Sequence, residues 1–170
     1  MYKKGIFNFL FTLATALLII SCEKDDVCVD GDTPLLQISF IDFTDNTLEK
    51  EVPSLRVVGQ GQNTTVDTFN DRTNATTLEI PLKVDAATTT FFLVNQSATD
   101  ANDNETGNID IVTFTYEVEL IYVSRACGYI ANYKNLSAAI TPDADNWIQN
   151  IEIGSTTVAD NATVHVEILH

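Results

Sequence analysis

Three cysteines carry the chain's most versatile chemistry: Cys22, Cys28 and Cys127. A thiol can be acylated, joined in a disulfide or bound to a metal. An odd number of cysteines in an exported protein leaves one thiol outside any disulfide. If Cys22 carries lipid, Cys28 and Cys127 remain as an even pair that an oxidising compartment would join. Two free thiols are the alternative. A metal site has less support because no Cys-x-x-Cys motif or histidine cluster accompanies them.

The segment before Cys22 has the pattern of a secretory leader. Met1 to Lys4 is positively charged, and Gly5 to Ile20 is a mostly apolar run of 16 residues, shorter than the roughly 20 that span a bilayer. The run ends in Ile19-Ile20-Ser21-Cys22, which resembles the lipobox of bacterial lipoproteins. The resemblance implies a signal peptide over residues 1–21 and acylation of Cys22, with palmitate among the expected chains. An ordinary cleaved signal with an incidental cysteine is the alternative.

The residues after Cys22 are charged. Lys24, Asp25 and Asp26 resemble the signal that exports Bacteroidetes lipoproteins to the outer leaflet of the outer membrane. This resemblance implies a lipid-anchored protein displayed at the cell surface. The alternatives are a solvated spacer and a protein that faces the periplasm.

A dense run of oxygen-bearing side chains is the candidate calcium site. Calcium binds six to eight oxygens, and the run offers Asp100, Asn102, Asp103, Asn104 and Glu105. The EF-hand pattern does not fit, because its sixth position is Glu105 rather than glycine and its twelfth is Ile111. We therefore expect a solvated loop, with a looser calcium site as the alternative.

The sequence offers little for catalysis. Its two histidines are His165 and His170, too few for a zinc site with three or four ligands. The Gly-x-Ser-x-Gly elbow of serine hydrolases is absent. We therefore predict no catalytic residues, no metal, no cofactor and no enzymatic activity.

Composition and charge narrow the class of protein. Hydrophobic residues make up 45% of the 170 residues, which supports a folded domain. There are 24 acidic and 9 basic residues, so the net charge is −15. Such a chain repels phosphates, which disfavours nucleic acids and anionic lipid headgroups as partners.

The clearest structural element is a strictly alternating segment from Val112 to Tyr122. Its even-numbered residues are all apolar: Val112, Phe114, Tyr116, Val118, Leu120 and Tyr122. Alternation of this kind is typical of an antiparallel strand with one buried and one wet face. We therefore expect the even-numbered residues to point into the core.

The pattern of most of the remaining chain predicts short strands. The predicted strands are Leu35–Phe43, Leu55–Val58, Leu78–Val84, Thr89–Val94, Trp147–Ile153 and Val164–Leu169. Pro81 places the third of these at an edge or a bulge. Residues 133–140 are the one predicted helix, closed by Pro142.

Together these elements predict an all-β fold, an antiparallel β-sandwich of about seven strands with at most one short helix. The predicted domains are the leader (1–21), a polar tether that starts at the lipidated cysteine (22–33) and the sandwich (34–170).

Four segments carry a resemblance to a Bacteroidetes family of small lipoproteins known only as a domain of unknown function. They are Cys22–Cys28, Leu36–Phe43, Val123–Tyr129 and Trp147-Ile148. The resemblance implies a possible outer-membrane β-barrel partner, and it supplies no catalytic or ligand-binding residues.

Two functions remain open. One is a non-enzymatic interaction module, an accessory subunit of an envelope complex, which predicts a contiguous exposed apolar patch. The other is a carbohydrate- or calcium-binding surface domain, which predicts exposed aromatic rings beside a carboxylate cleft near residues 100–105.

Overall fold

The computed structural model describes Cys28 and residues 31–170. This part of the chain holds nine β-strands and no helix. In chain order the strands are β1 (Leu36–Ile41), β2 (Val52–Gly59), β3 (Thr73–Ala75), β4 (Thr77–Ile80), β5 (Thr88–Asn95), β6 (Asn108–Ser124), β7 (Gly128–Ile140), β8 (Asn150–Ile153) and β9 (Val166–Leu169).

The strands form two sheets. One has the order β4-β1-β9-β8 and the other the order β3-β2-β5-β6-β7. Neighbouring strands are antiparallel, except that β1 and β9 run parallel. The predicted all-β sandwich is confirmed, with nine strands instead of about seven.

The core is built from alternate residues of both sheets. Leu36, Ile38 and Phe40 of β1 are fully buried, as are Phe91 and Leu93 of β5. Because successive side chains of a strand point to opposite faces, these sets come from one face of each sheet. Burying a side chain of this size stabilises the fold by about 1.5–3 kcal/mol.

The prediction that the even-numbered residues from Val112 to Tyr122 point into the core is right as far as Val118, which is partly buried and packs against the core. Val112, Phe114 and Tyr116 are buried, whereas Leu120 and Tyr122 are exposed. The reason is a difference in strand length. β6 has 17 residues and β7 has 13, whereas β8 and β9 of the other sheet have four each. The second layer therefore covers only part of the β6–β7 hairpin.

The predicted helix over residues 133–140 is wrong, since this segment belongs to β7. The pairs Thr115–Ser137 and Glu117–Lys134 show that β7 contains one more residue than β6 at this point, which is a β-bulge. Asn135 supports the bulge with a left-handed φ of 54°. The bulge spaces the buried residues Tyr133 and Leu136 three apart, and this spacing imitates a helix.

Four predicted strands are shorter in the structure, and for two of them the neighbouring residues show why. The strand predicted over residues 78–84 ends at Ile80, immediately before Pro81, and β4 is an edge strand as Pro81 suggested. The strand predicted over residues 147–153 begins at Asn150. The amides of Trp147 and Ile148 donate hydrogen bonds to the Asp110 carboxylate instead of to a neighbouring strand.

Candidate functional site

The hairpin of β6 and β7 extends beyond the sandwich as a two-stranded projection, which we call the arm (residues 119–132). Its base still belongs to the core at the buried Ala131. Its strands pair without interruption from Glu119–Asn132 to Tyr122–Tyr129. A short turn at its tip ends at Gly128, whose φ is 70°. The arm is therefore an ordered extension of the sheet.

One face of the arm carries exposed apolar side chains. Leu120, Tyr122 and Tyr129 are 63%, 55% and 66% exposed, and we call these three residues the patch. The Tyr122 and Tyr129 rings meet edge to face with their centroids 5.4 Å apart. Tyr129 lies four residues before the fully buried Tyr133 on the same strand. The patch is thus the core-facing side of the hairpin, continued past the point where the second sheet ends.

The tip of the arm is bonded to the N-terminal segment. Cys127 forms a disulfide with Cys28, with Cα atoms 4.9 Å apart. A side chain at Gly31 would lie 3.3 Å from both Cys127 and Val123, so glycine allows the close approach of the two segments. The Ala131 amide then donates a hydrogen bond to the Thr33 hydroxyl at 3.1 Å. The segment before β1 therefore reaches the arm at its tip and again at Ala131.

The arm differs in charge from the rest of the protein. Residues 120–131 contain no aspartate or glutamate and one cation, the exposed Arg125. At the base of the arm, the Glu119 carboxylate pairs with the Lys134 ammonium at 2.5 Å. The arm is thus free of acidic side chains beyond Glu119, in a chain whose net charge is −15.

The acidic loop uses its oxygens internally. The Asp100 carboxylate accepts hydrogen bonds from the side chain and amide of Asn104 and from the amide of Asn102. These bonds, those from Asn104 foremost, lower the pKa of Asp100. Asp103 takes a left-handed φ of 62° at the turn. The loop therefore closes through its own hydrogen bonds.

Glu105 has a different role at the end of this loop. Its carboxylate accepts hydrogen bonds from the Ser97 hydroxyl at 2.8 Å and from the amides of Ala98 and Gly107. It also lies 3.5 Å from the Arg56 guanidinium. Burial alone would raise the pKa of Glu105, but these bonds outweigh burial and lower it. Glu105 thus fixes the loop to the sheet.

Two buried ionisable groups also serve the fold. Asp110 is fully buried, and its carboxylate accepts hydrogen bonds from the amides of Trp147 and Ile148. Burial raises the pKa of this carboxyl. His165 is fully buried, accepts a hydrogen bond from the Gln37 amide at 3.1 Å, and has a pKa lowered by burial. The sequence did not predict the buried position of Asp110. An aspartate beside a segment of alternating apolar and polar residues has the same pattern whether its carboxylate is buried or faces solvent.

A groove of about 310 Å³ lies beside β5, between residues 59–68 and residues 81–83. Its lining is rich in threonine and glutamine. Phe91 is the aromatic residue in that lining, and it is 2% exposed. The groove therefore presents no ring face on which a sugar could stack.

Several predicted site residues lie outside the described part of the chain. These are the lipidation residue Cys22 and the export-signal residues Lys24, Asp25 and Asp26. Within the described residues, no group of three or more His, Cys, Asp or Glu side chains is placed to hold a metal ion. The same residues include no helix that is long and apolar enough to cross a membrane.

The fold and the arm define a small all-β sandwich with an exposed two-stranded projection. The chain belongs to a family of unknown function, DUF6452, whose model matches residues 54–170. The match includes the whole arm. Comparisons with curated proteins and with solved structures gave no significant match.

Proposed function

We propose that this protein is a Bacteroidetes lipoprotein, anchored in the outer membrane through Cys22, that acts as a non-enzymatic interaction module. It would serve as an accessory subunit of an envelope complex. The observation that carries the proposal is the patch on the arm. An ordered, exposed apolar face is typical of a contact surface, and this one lies beside the segment that leads back to Cys22.

The chemistry of the rest of the domain supports a binding role over a catalytic one. The buried carboxylate of Asp110 and the imidazole of His165 are both used to hold backbone amides. Glu105 binds two amides and a hydroxyl within its own loop. These groups stabilise the scaffold, and the patch is the feature that the scaffold leaves unexplained.

The alternative of a calcium- or carbohydrate-binding domain has less support. The carboxylate of Asp100 is engaged by Asn102 and Asn104, and the exposed tyrosines lie on the arm instead of beside that loop.

The anchor is tested by replacing Cys22 with serine. We expect the variant to leave the membrane fraction or to keep its leader uncleaved, because no acyl chain can be attached to the serine. Mass spectrometry of the N-terminal peptide should show the acyl chains in the parent protein. Unchanged processing and membrane association in the variant would contradict the anchor.

The orientation is tested with protease added to intact cells. If Lys24, Asp25 and Asp26 direct export, the parent domain is removed by protease and the triple alanine variant is protected. Equal removal of both proteins would mean that these three residues are only a spacer. Protection of both would place the domain on the periplasmic side.

The role as a subunit is tested by purifying the tagged lipoprotein from outer membranes in mild detergent. We expect an outer-membrane β-barrel protein to co-purify in fixed proportion. The Cys22→Ser variant is the matched control, since it keeps the domain but loses the anchor. Recovery of the lipoprotein alone, from cells and at several detergent concentrations, would contradict the subunit role.

A further inference from the structure

We propose that the patch lies in the headgroup region of the membrane that carries the lipid anchor, so that the bilayer holds the domain at two points. The contact surface named in the proposed function is thus a surface of contact with lipid, and a protein partner of the domain would bind outside the patch. This inference rests on the proposed function, because the acylated Cys22 brings the arm to the bilayer.

The reach of the chain keeps the arm close to the anchor. Six peptide steps separate Cys22 from Cys28, and even a fully extended chain of this length spans no more than about 22 Å. The Cα atoms of Cys28 and Cys127 are a further 4.9 Å apart. The disulfide therefore keeps Cys127, at the tip of the arm, within about 27 Å of the anchored cysteine wherever the rest of the domain points.

The side chains of the patch suit the interface of a membrane. A tyrosine side chain has an apolar ring and a hydroxyl that prefers water, which is why tyrosine is enriched at the interfaces of membranes. Tyr122 and Tyr129 lie side by side, with Leu120 two residues along the strand from Tyr122. A paired aromatic surface next to a leucine fits the boundary between headgroups and acyl chains.

The charge of the arm also favours contact with lipid. The acidic chain as a whole is repelled by lipid phosphates, but residues 120–131 contain no acidic side chain and include Arg125. Glu119 at the base of the arm is paired with Lys134. The two strands of the arm therefore approach phosphate headgroups with no acidic side chain between residues 120 and 131, and the exposed Asp32 belongs to the N-terminal segment that lies against them.

The opposite end of the molecule provides the contrast. Phe43 and Leu48 are also exposed there, at 52% and 56%. They stand among Asp42, Asp45 and Glu49 in the sequence. Trp147 lies at this end, because its amide donates a hydrogen bond to Asp110 of β6. Asp110 precedes Tyr122 by twelve residues on this strand, which corresponds to about 40 Å. Exposed apolar residues at this end lack the tether, and acidic residues lie between them in the sequence, as they do not in residues 120–131 of the arm.

The experiment uses tryptophan as a depth probe in the full lipidated protein. The protein is reconstituted into phosphatidylcholine vesicles with brominated acyl chains, which quench tryptophan on contact, and into matched unbrominated vesicles. The native Trp147 serves as an internal reference at the far end. Tyr122→Trp places a probe in the patch. Phe43→Trp is the matched control, because it is an aromatic replacement at a similarly exposed site of the far end.

We expect the added emission of the Tyr122→Trp variant to be blue-shifted and strongly quenched in brominated vesicles. The emission of the parent, which comes from Trp147, and that of the Phe43→Trp control should be the same in both kinds of vesicle. Adding Leu120→Glu to the Tyr122→Trp variant should remove most of the quenching, whereas adding Leu48→Glu should leave it unchanged.

Vesicle flotation separates the two possible failures. If the Tyr122→Trp variant floats with the vesicles and its added tryptophan is not quenched, the anchor stands and lipid contact by the arm is wrong. If, in addition, a crosslinker at position 122 captures a protein in cells, the patch is a protein-binding surface instead. If the parent protein carries no acyl chain and does not float, the proposed function fails, and the bilayer inference falls with it.

Discussion

The two halves of the β6–β7 hairpin have the same sequence pattern and opposite environments. Phe114 and Tyr116, near the middle of β6, are buried, whereas Leu120 and Tyr122 on the same face are mostly exposed. Alternation shows that a strand has an apolar side and a polar side. It does not show what covers the apolar side, because this depends on the length of the strands in the other sheet. An apolar face that extends past its covering layer is thus exposed although its sequence pattern is that of a buried face.

The largest expected effect is the difference between Phe114→Ala and Leu120→Ala. Phe114 is fully buried, and its truncation should lower the free energy of unfolding by about 3–5 kcal/mol because a cavity remains. Leu120→Ala should change it by less than about 0.5 kcal/mol, as for other surface substitutions. Urea unfolding of the purified variants measures both. Similar losses would mean that the arm packs against part of its own domain.

Removal of the disulfide should increase the difference in local stability between the two halves of the β6–β7 hairpin. The bridge closes a loop with a sequence separation of 99 residues, and its loss in Cys28→Ala/Cys127→Ala should cost about 2–4 kcal/mol. We also expect amide hydrogen exchange to quicken in residues 119–132 and to remain slow around Phe114. Uniform quickening along the whole hairpin would contradict an arm that the disulfide holds locally.

The free energy of unfolding at alkaline pH should depend on Tyr133, which lies in the buried half of the hairpin. Burial raises the pKa of Tyr133 to about 12, above its ordinary value near 10. The unfolded chain therefore loses this proton at a lower pH than the folded chain does. The contribution of the protonated Tyr133 to the free energy of unfolding is fully present below pH 10. It decreases as the pH rises towards 12, and the loss is roughly 1 kcal/mol at pH 11.

The matched variant for this measurement is Tyr133→Phe. It also loses the hydrogen bond from the tyrosine hydroxyl to the Leu82 carbonyl, so the comparison concerns the slope with pH and not the absolute stability. We expect the variant to lose less stability than the parent between pH 9 and 11. Identical slopes would show that Tyr133 titrates normally.

The smallest expected effect lies within the patch. The edge-to-face contact of Tyr122 and Tyr129 should contribute about 0.5–1.5 kcal/mol to stability. A double-mutant cycle with Tyr122→Leu and Tyr129→Leu measures this coupling. A coupling near zero in detergent-free protein, together with a clear coupling in vesicles, would show that the two rings pair only when the patch is covered.

Much of the fold could be predicted because strand patterns are local. The apolar alternation of β6 and the β-branched residues of β5 led to the right elements and the right class of fold. Residues 133–140 were misassigned because the bulge at Asn135 gives Tyr133 and Leu136 a helical spacing. A bulge depends on the register with a partner strand, and a single sequence does not display that register.

The candidate site was predictable only in part. Counting cysteines led to the pair Cys28 and Cys127, which the structure joins. The patch could not be predicted, because Leu120 and Tyr122 continue the regular alternation of β6 and this pattern is typical of core residues. The acidic loop was expected to be a solvated loop, with a looser calcium site as the alternative, and its residues are those that close a tight turn by their own hydrogen bonds.

The parallel pairing of β1 with β9 has a consequence for the kinetics of folding. The amide of Gln37 donates to His165, 128 residues later in the chain, and β1 has its second neighbour only once β9 has been synthesised. Contacts between such distant segments slow folding, to the millisecond-to-second range that is common for non-local β-sheets. A nascent chain that lacks β9 cannot complete this sheet, so the domain reaches its native fold only after the last strand has been synthesised.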